Sequence, residues 1–414
     1  MDGIPPLPKG SGFLPIFLVK IITFSRKVTV QTKHGEHSAE VNCNPGERLI
    51  FDDTNALSIQ SAPGSSAYIL EITDLEPMLR ELSWTQPLHW RKKRVLFYRN
   101  RGYGDQLIFS ALPRFFRDVL GAEPSLLSDK VHEPLWLHNA SIGGVALSVP
   151  LHLDAVWRAN GARPFFDGTF FVESASEWDN DSEQPNVYDR LFGLAGLDPA
   201  RVPAKFKRPT FTLTSDDIDK RALWLKQVGS ATATDLAPGF IFIQLRATNK
   251  VRSIPPATAK LVLAAANEIG AKKNLTALVA DNEPLAPEIA QTILGLEHVV
   301  NVATAIPSVR LLGSIIAGAL AVIGPDSLAL HFAAAAETPA IGLWGPFSPA
   351  SRTKYYPRQT HLFHPELCPN APCFNYLPDL PIAKCPNGVR QQSCEVFTGI
   401  SYDELYSALL DSLP

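Results

Sequence analysis

The sequence lacks the features that mark membrane, secreted or nucleic-acid-binding proteins. Its charged residues make up 19% of the chain and give a net charge of -3, so no overall basic charge indicates a nucleic-acid or membrane-surface partner. The N-terminal apolar run, residues 12–22, is interrupted by Lys20 and is too short to span a bilayer. It also lacks the basic start and cleavage site of a signal peptide. These absences predict a cytoplasmic protein without a transmembrane segment.

Cysteine is scarce and unevenly placed. Cys43 stands alone, whereas four cysteines crowd near the C-terminus: Cys368, Cys373, Cys385 and Cys394. Four thiols could bind zinc, but only the first pair has a spacing typical of structural zinc sites. Disulfides would need an oxidising compartment, which nothing else in the sequence indicates. We therefore expect reduced thiols in a folded extension, with a zinc site as the alternative.

The chain divides into three regions, and this number is within the range of domains expected for 414 residues. A β-rich domain over residues 1–85 is predicted by five short apolar runs: KVTVQT, AEVNC, RLIF, LSIQ and AYILEI. Residues 86–230 open with a strand, a glycine turn and a helical pattern, which is the first βα unit of a doubly wound domain. Residues 231–414 alternate strands and helices. The predicted fold class is α/β, with two Rossmann-like domains behind a β-rich one.

Ligands of such domains bind at the carboxyl ends of the strands, and the first candidate residues follow the strand RVLFYR. Gly102 and Gly104 would let a ligand approach the backbone closely. Asp105 stands at the start of the next helix. It could cap that helix, or it could act as a general base that takes a proton from an acceptor hydroxyl. The missing third glycine sets aside a dinucleotide-binding role.

The second candidate group is a basic loop after the strand FIFIQL. It contains Arg246, Lys250 and Arg252. Three cations at a strand end could clamp a diphosphate and neutralise the charge of a departing group. A solvated basic loop is the alternative.

The third group lies in VIGPDSLALHFAAAAETPAIGLWGP, which indicates a strand, a helix and a second strand. Asp326 and Ser327 fall at the helix start, where backbone N–H groups and the helix dipole favour an anion. His331 lies one helical turn after Ser327 and shares its face, and Gly345 ends the second strand at the same edge. We expect a phosphate site here; the alternative is a capped core helix with a buried histidine.

Two stretches resemble known signatures. RVLFYRNRGYGDQLIFSALPRFFRD resembles the opening of the heptosyltransferase family, glycosyltransferase family 9, in which a G-D turn precedes a helix with a central proline, here Pro113. AVIGPDSLALHFAAAAETPAIGLWGPFSPASRTKYYP resembles that family's D-S-G-x-x-H helix and its following T-P and G-P-T-x-P-like loop. The resemblance covers residues 94–357 and extends to bacterial glycosyltransferases with a G-L-G-D-x-x-Q-F motif.

The resemblance implies a GT-B fold, an inverting mechanism and no metal or other cofactor. It also implies that Asp105 is the base, that Lys250 belongs to the family's basic loop, and that Asp326, Ser327 and His331 form its donor helix. The sequence departs from the family in two places. Leu328 replaces the glycine of D-S-G, which affects the donor geometry. The β-rich N-terminal region is an addition, which affects the choice of acceptor.

The function predicted from the sequence is an inverting, metal-independent glycosyltransferase. Its donor would be a nucleotide-diphosphate sugar, and its acceptor a saccharide, a glycolipid or another hydroxyl compound. Two alternatives stay open: a nucleotide-sugar-binding protein without catalysis, and a transferase acting on hydroxylated DNA bases. The second alternative rests on the basic and aromatic junction at residues 90–94, which could contact nucleic acid. DNA affinity that falls steeply with salt would support it.

Overall fold

The computed structural model describes residues 20–24, 28–34, 37–43, 48–51, 56–61, 69–74, 90–99, 102–148, 167–172, 186–236, 238–373 and 394–414. None of the helices in these ranges is long and apolar enough to cross a bilayer.

Six strands lie in the N-terminal region: β1 Lys20–Phe24, β2 Val28–His34, β3 His37–Cys43, β4 Arg48–Phe51, β5 Ala56–Ser61 and β6 Ile69–Asp74. They pair as two antiparallel three-stranded sheets, in the orders β4-β1-β6 and β3-β2-β5. Strands β2 to β6 coincide with the predicted apolar runs. Strand β1 was not predicted as a strand, because its residues overlap the end of the N-terminal apolar run. The separate domain over residues 1–85 stays a prediction.

The second region contains a four-stranded parallel sheet in the order β10-β7-β8-β9. Its strands are β7 Arg94–Tyr98, β8 Glu123–Asp129, β9 Gly144–Ser148 and β10 Gly168–Phe171, and its helices are α1 Tyr103–Phe109, α2 Ala111–Asp118, α3 Glu133–Trp136 and α4 Val187–Leu194. The single helix predicted after the glycine turn is two helices. The break at Ser110 agrees with Pro113, which has no N–H to donate to the carbonyl of Phe109.

The third region contains a six-stranded parallel sheet in the order β13-β12-β11-β14-β15-β16. Its strands are β11 Phe240–Gln244, β12 Thr276–Ala280, β13 Val299–Asn301, β14 Ala321–Pro325, β15 Ala340–Leu343 and β16 Gln359–Leu362. Its helices are α5 Ser215–Thr232, α6 Pro256–Lys273, α7 Pro287–Leu294, α8 Val309–Gly318, α9 Leu328–Ala336, α10 Pro349–Thr353 and α11 Tyr402–Ser412.

This strand order determines where a ligand crevice is expected. In order of appearance along the chain the sheet reads 3-2-1-4-5-6, so the topological switch point lies between β11 and β14. Ligands of open α/β sheets bind at this point, outside the carboxyl ends of the strands. The basic loop follows β11 and the D-S helix follows β14, so both predicted donor segments border the crevice. Helix α5 crosses the predicted boundary between residues 230 and 231, and the boundary stays a prediction.

An arginine joins the two α/β regions. Nε of Arg310, in α8, donates to Oδ1 of Asp217 in α5 at 2.9 Å, and its NH2 group bonds the other carboxylate oxygen. NH1 of Arg310 also donates to the carbonyl of Pro134 at 2.9 Å, and NH2 to that of Thr212 at 2.9 Å. One largely buried guanidinium therefore links α8, α5 and the segment around α3.

We expect Arg310→Met to lower the free energy of unfolding by about 3 kcal/mol, because the buried carboxylate of Asp217 would lose its cation and keep only its bonds from Thr214. The hydrogen bond from Arg310 lowers the pKa of Asp217. The stabilisation is therefore present at pH values above about 4, the ordinary range of an aspartate, and is lost as the pH falls below it. Urea titrations at pH 7 and at lower pH measure both effects.

The matched control is Lys220→Met, which breaks an exposed ion pair with Asp216 in the same helix α5. Exposed ion pairs contribute little to stability, so this variant should unfold close to the wild type. Equal losses in the two variants would contradict the linking role of Arg310.

Candidate active site

Two helix starts meet across the cleft between the α/β regions. Helix α1 packs directly against helix α9. A Cβ atom added to Gly104, in the first turn of α1, would lie 3.1 Å from Cδ2 of His331 in α9. Glycine at this position therefore allows the close approach of the two helices. The predicted acceptor loop and the predicted donor helix are brought together.

Asp105 is the third residue of α1 and forms an ion pair with an arginine that the sequence did not single out. NH2 of Arg99 donates to Oδ1 of Asp105 at 2.8 Å, and NH1 of Arg99 donates to the carbonyl of Val172 at 2.5 Å. Arg99 is completely buried at the end of β7, whereas the carboxylate of Asp105 is 29% exposed. A buried cation thus orients a carboxylate that solvent and ligands can still reach.

A buried histidine lies near the predicted acceptor loop. His132 is buried; its Nδ1 lies 3.2 Å from Oγ of Ser128, and its ring contacts that of Tyr103. Burial lowers the pKa of His132 to about 4, and the charge of Asp105 acts in the opposite direction. His132 is therefore a neutral group within electrostatic reach of Asp105. No motif in the sequence marked it.

The predicted donor side is built around the loop between β14 and α9. Asp326 is buried, and both its carbonyl and its carboxylate accept from NH1 of Arg252 at 3.3 Å. Ser327 is the N-cap residue of α9 and donates from Oγ to Oε1 of Gln244, the last residue of β11, at 3.0 Å. This bond bridges the two strands at the switch point, so Ser327 and the start of α9 are held at the crevice.

The three predicted cations are not equivalent. Arg246 makes a bidentate ion pair with Asp281, at 2.8 and 3.0 Å, and a further one with Glu283 at 3.2 Å. The bonds to Asp281 raise the pKa of Arg246. Lys250 is exposed and makes no ion pair with another residue that the structure describes. Its positive charge is therefore available to a ligand, whereas that of Arg246 is already compensated.

Two other residues named from the sequence, Gly345 and Trp90, have packing roles in the structure. A Cβ atom on Gly345 would lie 2.5 Å from the ring of Phe397 and 3.1 Å from Cβ of Cys394. Glycine at this position therefore allows the C-terminal segment to pack closely. The donor-binding role of Gly345 stays a prediction. The ring of Trp90 lies 5.4 Å from that of Phe116 and packs on the core. It is therefore not presented for stacking on a nucleic-acid base.

Three of the four clustered cysteines lie in the described residues. Cys368 is buried. The backbone N–H of Cys373 donates to the carbonyl of Pro346 at 2.9 Å, and that of Cys394 to the carbonyl of Val251 at 3.3 Å. These residues therefore lie against the loop after β15 and the basic loop after β11. Within the ranges given above, no group of three His, Cys, Asp or Glu side chains could hold a metal ion; Cys385 lies outside these ranges.

We expect Gly104→Ala to lower kcat/KM for sugar transfer about tenfold, because the added methyl group would push His331 and α9 away by a few tenths of an ångström. Gly193→Ala, at an exposed position of α4, is the control. Its Cβ atom would meet only Cγ of Pro199, at 3.8 Å. Steady-state kinetics on both variants test the contact. Similar losses at both positions would show that the α1–α9 contact is not the cause.

Residues 215–380 match the model of glycosyltransferase family 9 (heptosyltransferase). The match contains the basic loop and the D-S helix, and it leaves the N-terminal signature with Asp105 outside. No curated protein matches the chain.

The chain is similar to several solved structures. Escherichia coli ADP-heptose lps heptosyltransferase II matches with a TM-score of 0.55 and 11% identity, over 77% of this chain and 98% of that one. A family 9 glycosyltransferase from Veillonella parvula matches with a TM-score of 0.52 and 11% identity, over 66% and 87%. TibC from enterotoxigenic E. coli, an iron-containing dodecameric glycosyltransferase, matches with a TM-score of 0.52 and 13% identity, over 95% and 93%.

These comparisons confirm the predicted family resemblance and the predicted GT-B type of α/β fold. The matched structures differ in how much of this chain they cover. The TibC match covers 95% of this chain. The residues left uncovered are fewer than those that precede β7, so the match includes part of the N-terminal β-rich region. The heptosyltransferase II match covers less of the chain.

Proposed function

We propose that this chain, whose residues 215–380 match the model of glycosyltransferase family 9, is a glycosyltransferase that uses a nucleotide-sugar donor and an inverting mechanism. One observation supports the proposal above the others. Helix α1, which bears Asp105, packs against helix α9, which begins at Ser327. A base and an anion-binding helix start thus border one cleft.

The proposed reaction is a single displacement. The carboxylate of Asp105 takes the proton of the acceptor hydroxyl while that oxygen attacks the anomeric carbon. The bond from the anomeric carbon to the diphosphate breaks, and the nucleoside diphosphate departs from the opposite face, so the configuration inverts. Arg99 orients the base through its 2.8 Å bond.

The departing diphosphate needs positive charge and hydrogen-bond donors. We assign this role to Lys250 and Arg252, with Arg246 supporting the loop, and to the N-terminal end of α9 at Ser327. His331 adds a neutral imidazole on the same face of α9, and Asp326 holds Arg252 in place. Gly102 and Gly104 border the acceptor. We propose a saccharide or glycolipid hydroxyl as the acceptor, reached from the α1 side of the cleft.

We also propose that transfer itself requires no metal, since these side chains supply the charge that a metal would. TibC is iron-containing, and the clustered cysteines of this chain are the residues that could hold a metal ion. The described cysteines do not form such a group.

The test is a transfer assay with a panel of nucleotide-diphosphate sugars, beginning with ADP-heptose because TibC has been crystallised with ADP-D-β-D-heptose. Mass spectrometry of the purified protein identifies any nucleotide-sugar that it retains. NMR of the product gives the anomeric configuration, and dialysis against a chelator tests for metal dependence. Retention of configuration, or activity that returns only with added metal, would overturn the mechanism. Binding without any turnover would favour the non-catalytic alternative.

A further inference from the structure

Three buried rings form a hydrogen-bonded chain between the two α/β regions. Nδ1 of His331 lies 2.7 Å from the hydroxyl oxygen of Tyr356, which in turn lies 2.7 Å from that of Tyr188. Tyr188 belongs to α4 and His331 to α9, and Tyr356 follows α10. The chain therefore runs from the interior of one region to the donor helix of the other.

The protons of this chain can be placed by counting donors and acceptors. Each phenol carries one proton, and a neutral imidazole carries one. Within the described residues, the hydroxyl of Tyr188 has one hydrogen-bond partner, Tyr356, so its proton goes to that oxygen. The proton of Tyr356 then has one acceptor left, Nδ1 of His331. The opposite direction would bury the proton of Tyr188 without an acceptor, which is unfavourable.

Burial also determines the charge of the imidazole. It lowers the pKa of His331 to about 4; the carboxylates of Asp326 and Asp105 act against this change, and the cations Arg352 and Arg252 act with it. The ring is therefore neutral at pH 7 and carries one proton. Because Nδ1 accepts from Tyr356, that proton is on Nε2.

The Nε2 edge of the ring faces the first turn of helix α1. Nε2 lies 3.5 Å from the position of a Cβ atom on Gly104, at the α1–α9 contact. It makes no hydrogen bond to any residue in the described part of the chain. His331 also lies one helical turn beyond Ser327, on the face that begins at the anion-binding helix end.

We infer that Tyr356 is a positioning residue that fixes His331 as the Nε2–H tautomer, so that the donor site presents a neutral N–H donor to a phosphate oxygen of the nucleoside diphosphate. The identity of this ligand rests on the proposed function. The tautomer rests only on the hydrogen-bonded chain. Tyr356 acts through His331 and does not itself contact the ligand.

The test is nitrogen-15 NMR of the full-length protein labelled at histidine. The chain contains 10 histidines, and the signal of His331 is the one that His331→Gln removes. In the wild type we expect a protonated Nε2 and an unprotonated Nδ1. Tyr356→Phe keeps the ring and removes the proton donor, so we expect mixed tautomers. We also expect the Kd of ADP to rise about tenfold, the effect of weakening one hydrogen bond to an anion.

Tyr188→Phe is the matched control. It removes a phenol from the same chain, but the proton of Tyr356 would still have Nδ1 of His331 as its acceptor, so the single tautomer should persist. A wild-type His331 protonated on Nδ1, or a Tyr356→Phe variant with unchanged tautomer and unchanged Kd, would overturn the inference. Absence of ADP binding to the wild type would instead count against the ligand assigned by the proposed function, and the NMR result would still decide the tautomer.

Discussion

Replacement of Asp105 by asparagine is expected to lower the turnover number for sugar transfer by roughly 10²–10⁴-fold, the usual effect of removing a positioned base. The amide keeps the size of the side chain and cannot take the proton of the acceptor. Binding of ADP should be retained, because the proposed donor residues lie on the loops after β11 and β14. A fall in turnover with an unchanged Kd for ADP is the result that identifies a base.

Stability must be measured alongside turnover, because Asp105 also pairs with the buried guanidinium of Arg99. Asparagine would leave that cation with a weaker partner, and the variant should melt at a lower temperature. Assays are therefore run well below its melting temperature. Asp118→Asn, at the exposed end of α2, is the control for the loss of one carboxylate in the same region. It should match the wild type in both turnover and melting temperature.

Undiminished transfer by the Asp105→Asn variant would show that another group takes the proton. His132 is then the next candidate, since burial keeps it neutral at pH 7 and it lies within electrostatic reach of Asp105. The variants Asp105→Asn and His132→Gln, assayed with the same acceptor, separate the two possibilities.

The parts of the fold that could be predicted are those determined by local pattern. The apolar strand FIFIQL and the segment AVIGP correspond to β11 and β14. Their alternation with helices is enough to predict a parallel sheet, and residues that follow parallel strands collect at one edge of it. For this reason Ser327 and the basic loop could be placed at one cleft from sequence alone.

The contacts that hold the site together could not be predicted, because they join residues far apart in the chain. Arg99 was taken as the end of a strand, and only the fold shows that it is fully buried beside Asp105. Tyr188 and Tyr356 are 168 positions apart, and neither was singled out as a site residue. The need for glycine at position 104 comes from His331, more than 200 residues later. A turn glycine gives no sign of such a neighbour.

The different roles of the three cations in the basic loop also could not be predicted from the sequence. Sequence spacing gave Arg246, Lys250 and Arg252 the same role, since all three follow β11. The structure distinguishes them by their partners: Arg246 is paired with two carboxylates, Arg252 with Asp326, and Lys250 with none in the described residues. Charge compensation depends on loops after other strands, and no pattern within one loop reports it.

The second large effect is therefore expected at Lys250. Lys250→Met keeps much of the length of the side chain and removes the one cation of the loop whose charge no described residue compensates. We expect kcat to fall roughly 10²-fold, as when one donor to a developing anion is lost. Lys250→Arg should recover much of the loss, because it restores a positive charge. Steady-state kinetics with saturating donor, together with the Kd of ADP, measure these effects.

Two comparisons make this result specific to Lys250. Lys260→Met removes a half-exposed lysine that pairs with Glu288 on the outer face of α6, and it should leave kcat unchanged. Arg246→Met removes a cation from the same loop, but one whose charge Asp281 and Glu283 already neutralise, so its effect on kcat should be smaller than that of Lys250→Met. If the order of these two effects were reversed, the diphosphate would lie on the β12 side of the switch point, beside Arg246. Assignment of the leaving-group role would then pass from Lys250 to Arg246, and Asp281 would have to release its arginine when the donor binds.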